Sequence, residues 1–273
     1  MKRFTKVSLI IAAILGCVGL SLCITALVLG VTLEEVSKTQ IIWDHDLKKV
    51  VVNEGDLRDF QETFDRVESL EVEVEAGNVL VEESDTDQVV VIGKGVAPSF
   101  QCTMEGRTLK IEDKNHSYVK LENFRADDGE CKITVQVPRG TEFQNMELNI
   151  KAGSLEVLGF QTKKLEAECE AGSAQLEGDV KGECELTCGV GKLTYRGNLG
   201  GDTSVECGMG SVDMELANAQ EEFDYSLECG MGQINVGDLS IKGIAGEKEV
   251  SNQANRKLEI ECGMGEVNTT FGK

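Results

Sequence analysis

The sequence predicts an all-β fold, a single-domain parallel β-solenoid preceded by an N-terminal transmembrane helix. Two observations predict the solenoid. A four-residue phrase, Cys-Gly-x-Gly, recurs along the chain, and apolar residues alternate with polar ones on both sides of each copy. Alternation with period two is typical of strands, and connections this short exclude crossover helices. A third observation, an uncharged stretch over residues 7–33, predicts the helix.

The uncharged stretch divides the chain into four predicted parts. Lys2, Arg3 and Lys6 precede it, and this positive charge places the N-terminus in the cytoplasm and the C-terminal domain outside a cell membrane crossed once. A cleaved signal peptide remains an alternative, although its apolar region would be only about 7–15 residues long. The parts are a cytoplasmic tail (1–6), the transmembrane helix (7–33), a stalk or linker (34–66) and the β-solenoid (67–273).

The repeated phrase marks the corner of each predicted coil. Full copies occupy residues 188–191, 207–210, 229–232 and 262–265, and looser copies with Ala-Gly in place of Cys-Gly lie at 76–77, 152–153 and 171–172. An antiparallel meander is the competing arrangement, but it calls for Asn-Gly or Asp-Gly hairpins that the strand junctions lack. We expect each repeat to lie on the one before it, with a loop over about 243–257. The turn glycines, expected to supply positive φ, are Gly189, Gly191, Gly208, Gly210, Gly230, Gly232, Gly263 and Gly265.

The cysteines of the phrase occupy one position per repeat, so we expect them to stack in a column that faces the core. These residues are Cys188, Cys207, Cys229 and Cys262. Reduced thiols that pack as small apolar groups are the favoured interpretation. Disulfides between neighbouring coils remain an alternative, because coils about 4.8 Å apart fall within the Cα range that a disulfide tolerates. Zinc is disfavoured, since the chain has no Cys-x-x-Cys pair and His45 and His116 are isolated.

Acidic residues dominate the charge, which is −21 for the whole chain. This balance excludes nucleic acid as a partner and disfavours anionic membrane surfaces. Four glutamates precede turn dipeptides and are expected to form an outward column: Glu170, Glu206, Glu228 and Glu261. One hypothesis gives this column weak affinity for Ca²⁺ or Mg²⁺, and the other makes it a solvated face.

Catalytic signatures are missing from the sequence. Asp127 and Asp128 lie in a polar segment that suits a solvated turn, and arginines that could line a sugar-cleaving groove are scarce in the repeats. Gly208-x-Gly210 lacks the following helix and lysine of a phosphate loop. We therefore expect no enzyme, no cofactor, and no metal beyond the weak cation hypothesis.

Strand patterns over about residues 60–273 resemble a bacterial family of membrane-anchored "putative adhesin" β-strand-repeat proteins, a domain of unknown function. The segments that carry the resemblance are 67–72, 106–111 and 133–140, followed by the repeated glycine units. The resemblance implies a β-solenoid in the bacterial cell envelope, in some members beside envelope stress systems. It supplies no active-site residues. In this chain cysteine replaces the serine or threonine that the family usually carries before the turn glycine.

Three functions remain open at this stage. The favoured one is a non-enzymatic, membrane-anchored envelope scaffold or sensor component, accessory to envelope stress signalling, with another envelope protein as its partner. The alternative is a surface adhesin or glycan-binding module, and the third is a polysaccharide-active enzyme. Residues 267–271 end the last repeat with no visible capping element, so lateral or end-on self-association is a further expectation.

Overall fold

The structure is a computed structural model that describes residues 58–96, 99–113 and 132–272. In these ranges no helix has the length and apolar character needed to cross a membrane. The predicted tail and transmembrane helix, most of the stalk, and Cys131, His45 and His116 lie outside the described residues. Their predicted roles therefore stay predictions.

The described ranges contain sixteen strands joined in one hydrogen-bonded sheet, most of it parallel. The fold class is thus all-β with a mostly parallel sheet, consistent with the predicted solenoid. The strands are β1 (Arg58–Phe64), β2 (Ser69–Ser84), β3 (Val89–Val96), β4 (Gln101–Glu105), β5 (Thr108–Asp113), β6 (Lys132–Pro138), β7 (Glu142–Val180), β8 (Cys184–Gly197), β9 (Thr203–Cys207), β10 (Ser211–Leu216), β11 (Asp224–Cys229), β12 (Gln233–Val236), β13 (Leu239–Lys242), β14 (Gly246–Val250), β15 (Lys257–Cys262) and β16 (Glu266–Phe271).

Each coil consists of a strand segment, a glycine corner and a second strand segment. The segments before the corner stack in parallel as the first face of the coils, and the segments after it stack as the second face. On the first face, β8, β9, β15 and β11 follow one another in register. On the second face, β8, β10, β16 and β12 do the same. The long strand β7 runs through two successive coils without interruption.

The order of the coils differs from the order of the repeats in the sequence. The last repeat, β15 and β16, lies between the coil of β9 and β10 and the coil of β11 and β12. The expectation that each repeat lies on the one before it is therefore wrong for this repeat. A similar inversion occurs at the other end, where β5 and β6 pair with the outer edge of β2 while β7 pairs with its inner edge.

Antiparallel strands cover both ends of the parallel stack. β13 pairs with β12 and β14 pairs with β11, so the expected loop at 243–257 contains a capping strand. At the other end β4 pairs with β5, β3 pairs with β6, and β1 pairs with β3. Residues 58–64, assigned to the stalk by the sequence, are therefore a sheet strand. The absence of a cap inferred from residues 267–271 is wrong, because that segment is an interior coil and the true end is protected.

The core follows the period-two pattern. Inward positions carry valine, leucine, isoleucine and cysteine, which are buried, and the residues between them face outward. Tyr195 is the largest fully buried side chain, and its hydroxyl donates to the carbonyls of Gly178 (3.0 Å) and Asn198 (3.2 Å). Buried Asn218 exchanges two hydrogen bonds with the backbone of Leu199, at 2.8 and 3.1 Å. These bonds satisfy the polar groups that burial removes from water.

Candidate functional site

The glycine corner is the feature that the sequence singled out, and the structure changes its alignment. Ala171 and Gly172 pair with Val190 and Gly191, the second half of the phrase, and not with Cys188 and Gly189. The Ala-Gly copies thus correspond to x-Gly, and the cysteine position of that coil is Cys169. In this register each corner glycine follows the previous one by 19 residues, the separation seen across neighbouring coils. These glycines are Gly153, Gly172, Gly191 and Gly210.

Close stacking, more than positive φ, explains the glycines. Of the eight predicted turn glycines only Gly191 lies in the left-handed region, at φ +140°. At Gly210 a Cβ would lie 2.5 Å from the carbonyl oxygen of Gly191, and at Gly232 it would lie 2.1 Å from that of Gly265. The corner therefore brings backbones of adjacent coils too close for any side chain. The expectation that all eight glycines supply positive φ is wrong for the other seven.

The cysteine column has five members. Cys169, Cys188, Cys207, Cys262 and Cys229 pair in this order across successive coils, all are buried, and all are free thiols. Burial raises the pKa of the Cys169 thiol to about 11. The hydrogen bond with Cys262, together with burial, raises the pKa of Cys207. The thiols of Cys169 and Cys207 are therefore protonated at neutral pH and poor nucleophiles, whereas the hydrogen bond with Cys207 lowers the pKa of Cys262 to about 7.

The structure contains a glutamate column, but its members differ from those that the sequence predicts. Glu206, Glu261 and Glu228 pair in register, whereas Glu170 belongs to a position opposite Gly189 and outside this column. Glu247 of the capping strand pairs with Glu228 and continues the column to the end of the stack. Partial burial raises the pKa of Glu261, and the carboxylates of Glu228 and Glu206 raise it further.

The predicted cation site gains no support from this geometry. Within the described ranges, no group of three or more His, Cys, Asp or Glu side chains is arranged to hold a metal ion. Carboxylates that follow one another along a stack are spaced by about 4.8 Å and face outward, so they do not converge on one ion. The Ca²⁺ or Mg²⁺ hypothesis stays a prediction.

A polar groove lies on the second face. It has a volume of about 560 Å³ and runs across the coils that contain β7, β8, β10 and β16. Its walls are outward-facing side chains held on hydrogen-bonded strands, which fixes their backbone positions. The side chains that define it are Ser173, Gln175, Lys192, Thr194, Asp213 and Asn268.

Hydrogen bonds and ion pairs link the polar groups of the groove. The Lys192 ammonium lies 2.7 Å from the Asp213 carboxylate, and the Asn268 amide donates to the same carboxylate at 3.1 Å. These two contacts, the lysine first, lower the pKa of Asp213. The Arg196 guanidinium bridges Glu177 (3.2 Å) and Glu215 (3.0 Å) at the rim. The groove therefore presents paired charges and amides, an arrangement that offers both donors and acceptors to a ligand.

Sequence reasoning missed this groove. Gln175, Thr194, Asp213 and Asn268 occupy the same outward position of successive coils. The available signal was their shared hydrogen-bonding character at one repeat position. It could be read only after the coils had been placed in their spatial order, because Asn268 comes 55 residues after Asp213 yet lies beside it.

Comparisons with known proteins find one family model and several similar solved structures. A family model described as Toastrack DUF4097 matches residues 67–272. A crystal structure of a "putative cell adhesion protein" from Clostridium sporogenes ATCC 15579 is 12% identical, with a TM-score of 0.43, over 79% of this chain and 99% of that chain. A "putative adhesin" from Bacteroides fragilis NCTC 9343 is 13% identical, with a TM-score of 0.35, over 79% and 98%. No curated protein matches the chain.

Proposed function

The chain belongs to the Toastrack DUF4097 family, and on this premise we propose that it is a non-enzymatic surface adhesion module that binds glycans through its second-face groove. The observation that carries the proposal is the groove itself, with its row of amide, hydroxyl and charged groups across successive coils. The names of the similar structures, which refer to adhesion, point in the same direction.

The chemistry of the groove suits a hydrophilic polymer. Pockets for drug-sized molecules are mostly apolar and enclosing, whereas this groove is partly open and most of the residues that line it are polar. A chain of sugar units offers hydroxyl groups at regular intervals, and the groove offers donors and acceptors at intervals of about 4.8 Å. Aromatic stacking is not part of this recognition, because no aromatic residue lines the groove. Specificity would come from hydrogen bonds.

An enzymatic reaction receives less support from the same residues. The carboxylate of Asp213 is held by Lys192, and Glu177 and Glu215 are held by Arg196. A general acid needs a raised pKa near the working pH, and the pKa of Asp213 is shifted in the opposite direction. The family model that matches the chain describes a domain of unknown function and names no enzymatic activity.

Membrane attachment through residues 7–33 belongs to the proposal and rests on the sequence. It would hold the binding face outside the cell, where an adhesive module meets its ligands. The scaffold or sensor role favoured by the sequence stays a prediction, to be tested by crosslinking in cells. One argument for that role was an end-on contact with a partner at an uncapped coil. This argument is weakened, because antiparallel strands cap both ends of the stack.

The test is binding of the purified full chain, in detergent or nanodiscs, to an array of bacterial and host glycans. We expect saturable binding to a subset of glycans. A double variant, Gln175→Ala with Thr194→Ala, removes two outward groups at the centre of the groove. It should weaken binding at least about tenfold, since each hydrogen bond contributes on the order of 1 kcal/mol.

The matched control replaces outward polar residues on the first face, Ser204→Ala with Ser226→Ala. These residues lie within β9 and β11 and are partly exposed like the groove pair. The control variant should bind glycans as the unchanged chain does. Failure of the full chain to bind any glycan, or equal binding by the groove variant, would reject the proposal.

A further inference from the structure

The exposed apolar residues of the described ranges form a single line. Five large apolar side chains there are exposed: Val190, Met209, Met264, Met231 and Ile244, at 50%, 59%, 54%, 56% and 87% of their surface. Large apolar side chains scattered singly over a surface need no explanation. Five that fall into one row form a feature of the fold, which we call the corner ridge.

Strand register places four of the five residues at one corner of successive coils. The amide of Met209 donates to the carbonyl of Gly189, that of Met264 to Gly208, and that of Met231 to Gly263, at 2.7 to 2.9 Å. Each methionine therefore lies one coil beyond the last, in the order Val190, Met209, Met264, Met231. The glycines on either side of each residue carry no side chain that could shield it.

The capping strand extends the ridge by one more residue. Cys229 pairs with Gly246 in the antiparallel ladder, and the amide of Ala245 donates to the carbonyl of Gly230 at 2.8 Å. This register places Ile244 opposite Met231. The ridge thus spans four steps of about 4.8 Å, or about 19 Å, and ends at the cap.

A column of carboxylates runs beside the ridge. Glu206, Glu261, Glu228 and Glu247 are each three residues from the corresponding ridge residue and are stacked in the same order. All four are exposed. No lysine or arginine in the described part of the chain forms an ion pair with any of them. Their mutual repulsion contributes to the raised pKa of Glu261.

We propose that the corner ridge and its carboxylate column are the docking surface for a basic amphipathic helix of a partner protein. The apolar side of that helix would cover the methionines, and its lysines or arginines would pair with the four carboxylates. Methionine is well suited to such a surface, because its unbranched, polarisable side chain adapts to a partner. Charge complementarity with the unpaired column identifies the partner as cationic.

Spacing favours a helix over an extended strand. Apolar residues three and four apart on a helix advance by about 4.5 and 6.0 Å along the axis, close to the coil spacing of about 4.8 Å. Alternate residues of a strand advance by about 6.6 Å and would fall out of step with the ridge within two coils. A helix of about 13 residues matches the length of the ridge.

Other occupants fit the charges less well. Two copies of the chain joined ridge to ridge would bring two unpaired carboxylate columns together in a chain whose net charge is −21. An anionic membrane surface would repel the same column. A cationic helix neutralises it. This surface is separate from the second-face groove, so the inference does not depend on the proposed glycan binding.

The experiment measures fluorescence anisotropy of a labelled 18-residue helical peptide on addition of the purified full chain. The peptide carries leucines in one helical stripe and lysines beside them. We expect saturable binding that weakens as NaCl is raised from 0.05 to 0.5 M. The charge-reversed peptide, with glutamate in place of lysine, should not bind. A triple variant, Met209→Ser, Met264→Ser and Met231→Ser, should weaken binding at least about tenfold.

Matched charge variants separate this surface from a general attraction to an acidic protein. A triple variant of the column should remove most of the dependence of peptide binding on NaCl concentration: Glu206→Gln, Glu261→Gln and Glu228→Gln. Glu62→Gln, Asp65→Asn and Asp87→Asn remove the same charge from exposed carboxylates at the opposite end of the stack and should leave peptide binding unchanged. The proposal would be overturned if both charge variants weakened peptide binding equally, if the methionine variant still bound the peptide, or if the unchanged chain did not bind it. Ridge-dependent dimerisation without peptide binding would overturn it in favour of a second copy.

Discussion

Replacing Gly210 by alanine tests whether close stacking of coils, and not backbone conformation, explains the glycine corner. A Cβ at this position would lie 2.5 Å from the oxygen and 2.8 Å from the nitrogen of Gly191, and 2.9 Å from the sulfur of Cys188. Ordinary contact begins at about 3.4 Å. The neighbouring coil would therefore have to move by about 0.9 Å.

Such a movement breaks bonds at the corner. The hydrogen bonds from Gly208 to Cys188 (2.8 Å) and from Met209 to Gly189 (2.9 Å) would stretch beyond bonding distance. Two lost hydrogen bonds cost about 2 kcal/mol, and overpacking adds about 1–3 kcal/mol. We expect Gly210→Ala to lower the free energy of unfolding by about 3–5 kcal/mol. At this domain size that corresponds to a decrease in Tm of at least about 6 °C.

The control is Gly106→Ala. Gly106 has φ +64°, and a Cβ there would meet nothing within 4 Å, so only its backbone conformation opposes alanine. That conformation costs about 1–2 kcal/mol. Urea and thermal unfolding followed by circular dichroism would measure both variants on the full chain. A cost for Gly210→Ala equal to or below that of Gly106→Ala would refute the stacking explanation.

Three further predictions concern titratable groups. Glu261→Gln should stabilise the fold by up to about 1 kcal/mol at pH 7, because partial burial and its glutamate neighbours raise the pKa of Glu261, so the charged form is disfavoured when folded. The advantage should vanish as pH falls below the usual glutamate range of about 4.3, where both chains carry a neutral side chain; a gain that is constant with pH would contradict this. Burial raises the pKa of Cys169 to about 11 and that of Cys102 to about 12, so at pH 8 these two thiols should react with a thiol reagent far more slowly in folded than in unfolded protein. Unfolded, unreduced protein should show at least seven free thiols, and fewer would indicate disulfides between coils.

The sequence predicted the β-class and the repetition because both depend on local pattern. Inward and outward positions alternate on either side of each glycine corner, and this pattern requires no knowledge of neighbours. The family resemblance was also confirmed by the match over residues 67–272. The column of core cysteines followed from the same reasoning, although it omitted Cys169 because the Ala-Gly copies were aligned with the wrong glycine.

The spatial order of the coils could not be predicted, because local sequence patterns do not distinguish one coil from another. Every coil offers the same edge of hydrogen-bonding groups and the same apolar interior, so nothing near residues 257–271 indicates that they lie between two earlier repeats. The capping strands β13 and β14 were missed for a related reason. They are only four and five residues long, too short for a clear alternating pattern, and they become strands because the last coil offers them an open edge.

Both candidate surfaces depend on that spatial order. Met264 and Asn268 come from the last repeat. Its insertion between two earlier coils makes the ridge continuous and adds Asn268 to the edge of the groove. The repeated phrase that contains Met209 predicts roles for its cysteine and its glycines but none for the methionine. Side chains that face solvent are not constrained by the fold, so their use by a partner can be inferred only from what surrounds them.

The decisive measurement is glycan binding by the full chain, the groove variant and the ridge variant under the same conditions. Binding should be saturable for a subset of glycans, weakened at least about tenfold by Gln175→Ala with Thr194→Ala, and unchanged by the triple variant Met209→Ser, Met264→Ser and Met231→Ser. An absence of glycan binding, or binding that the groove variant retains, would contradict the proposed function.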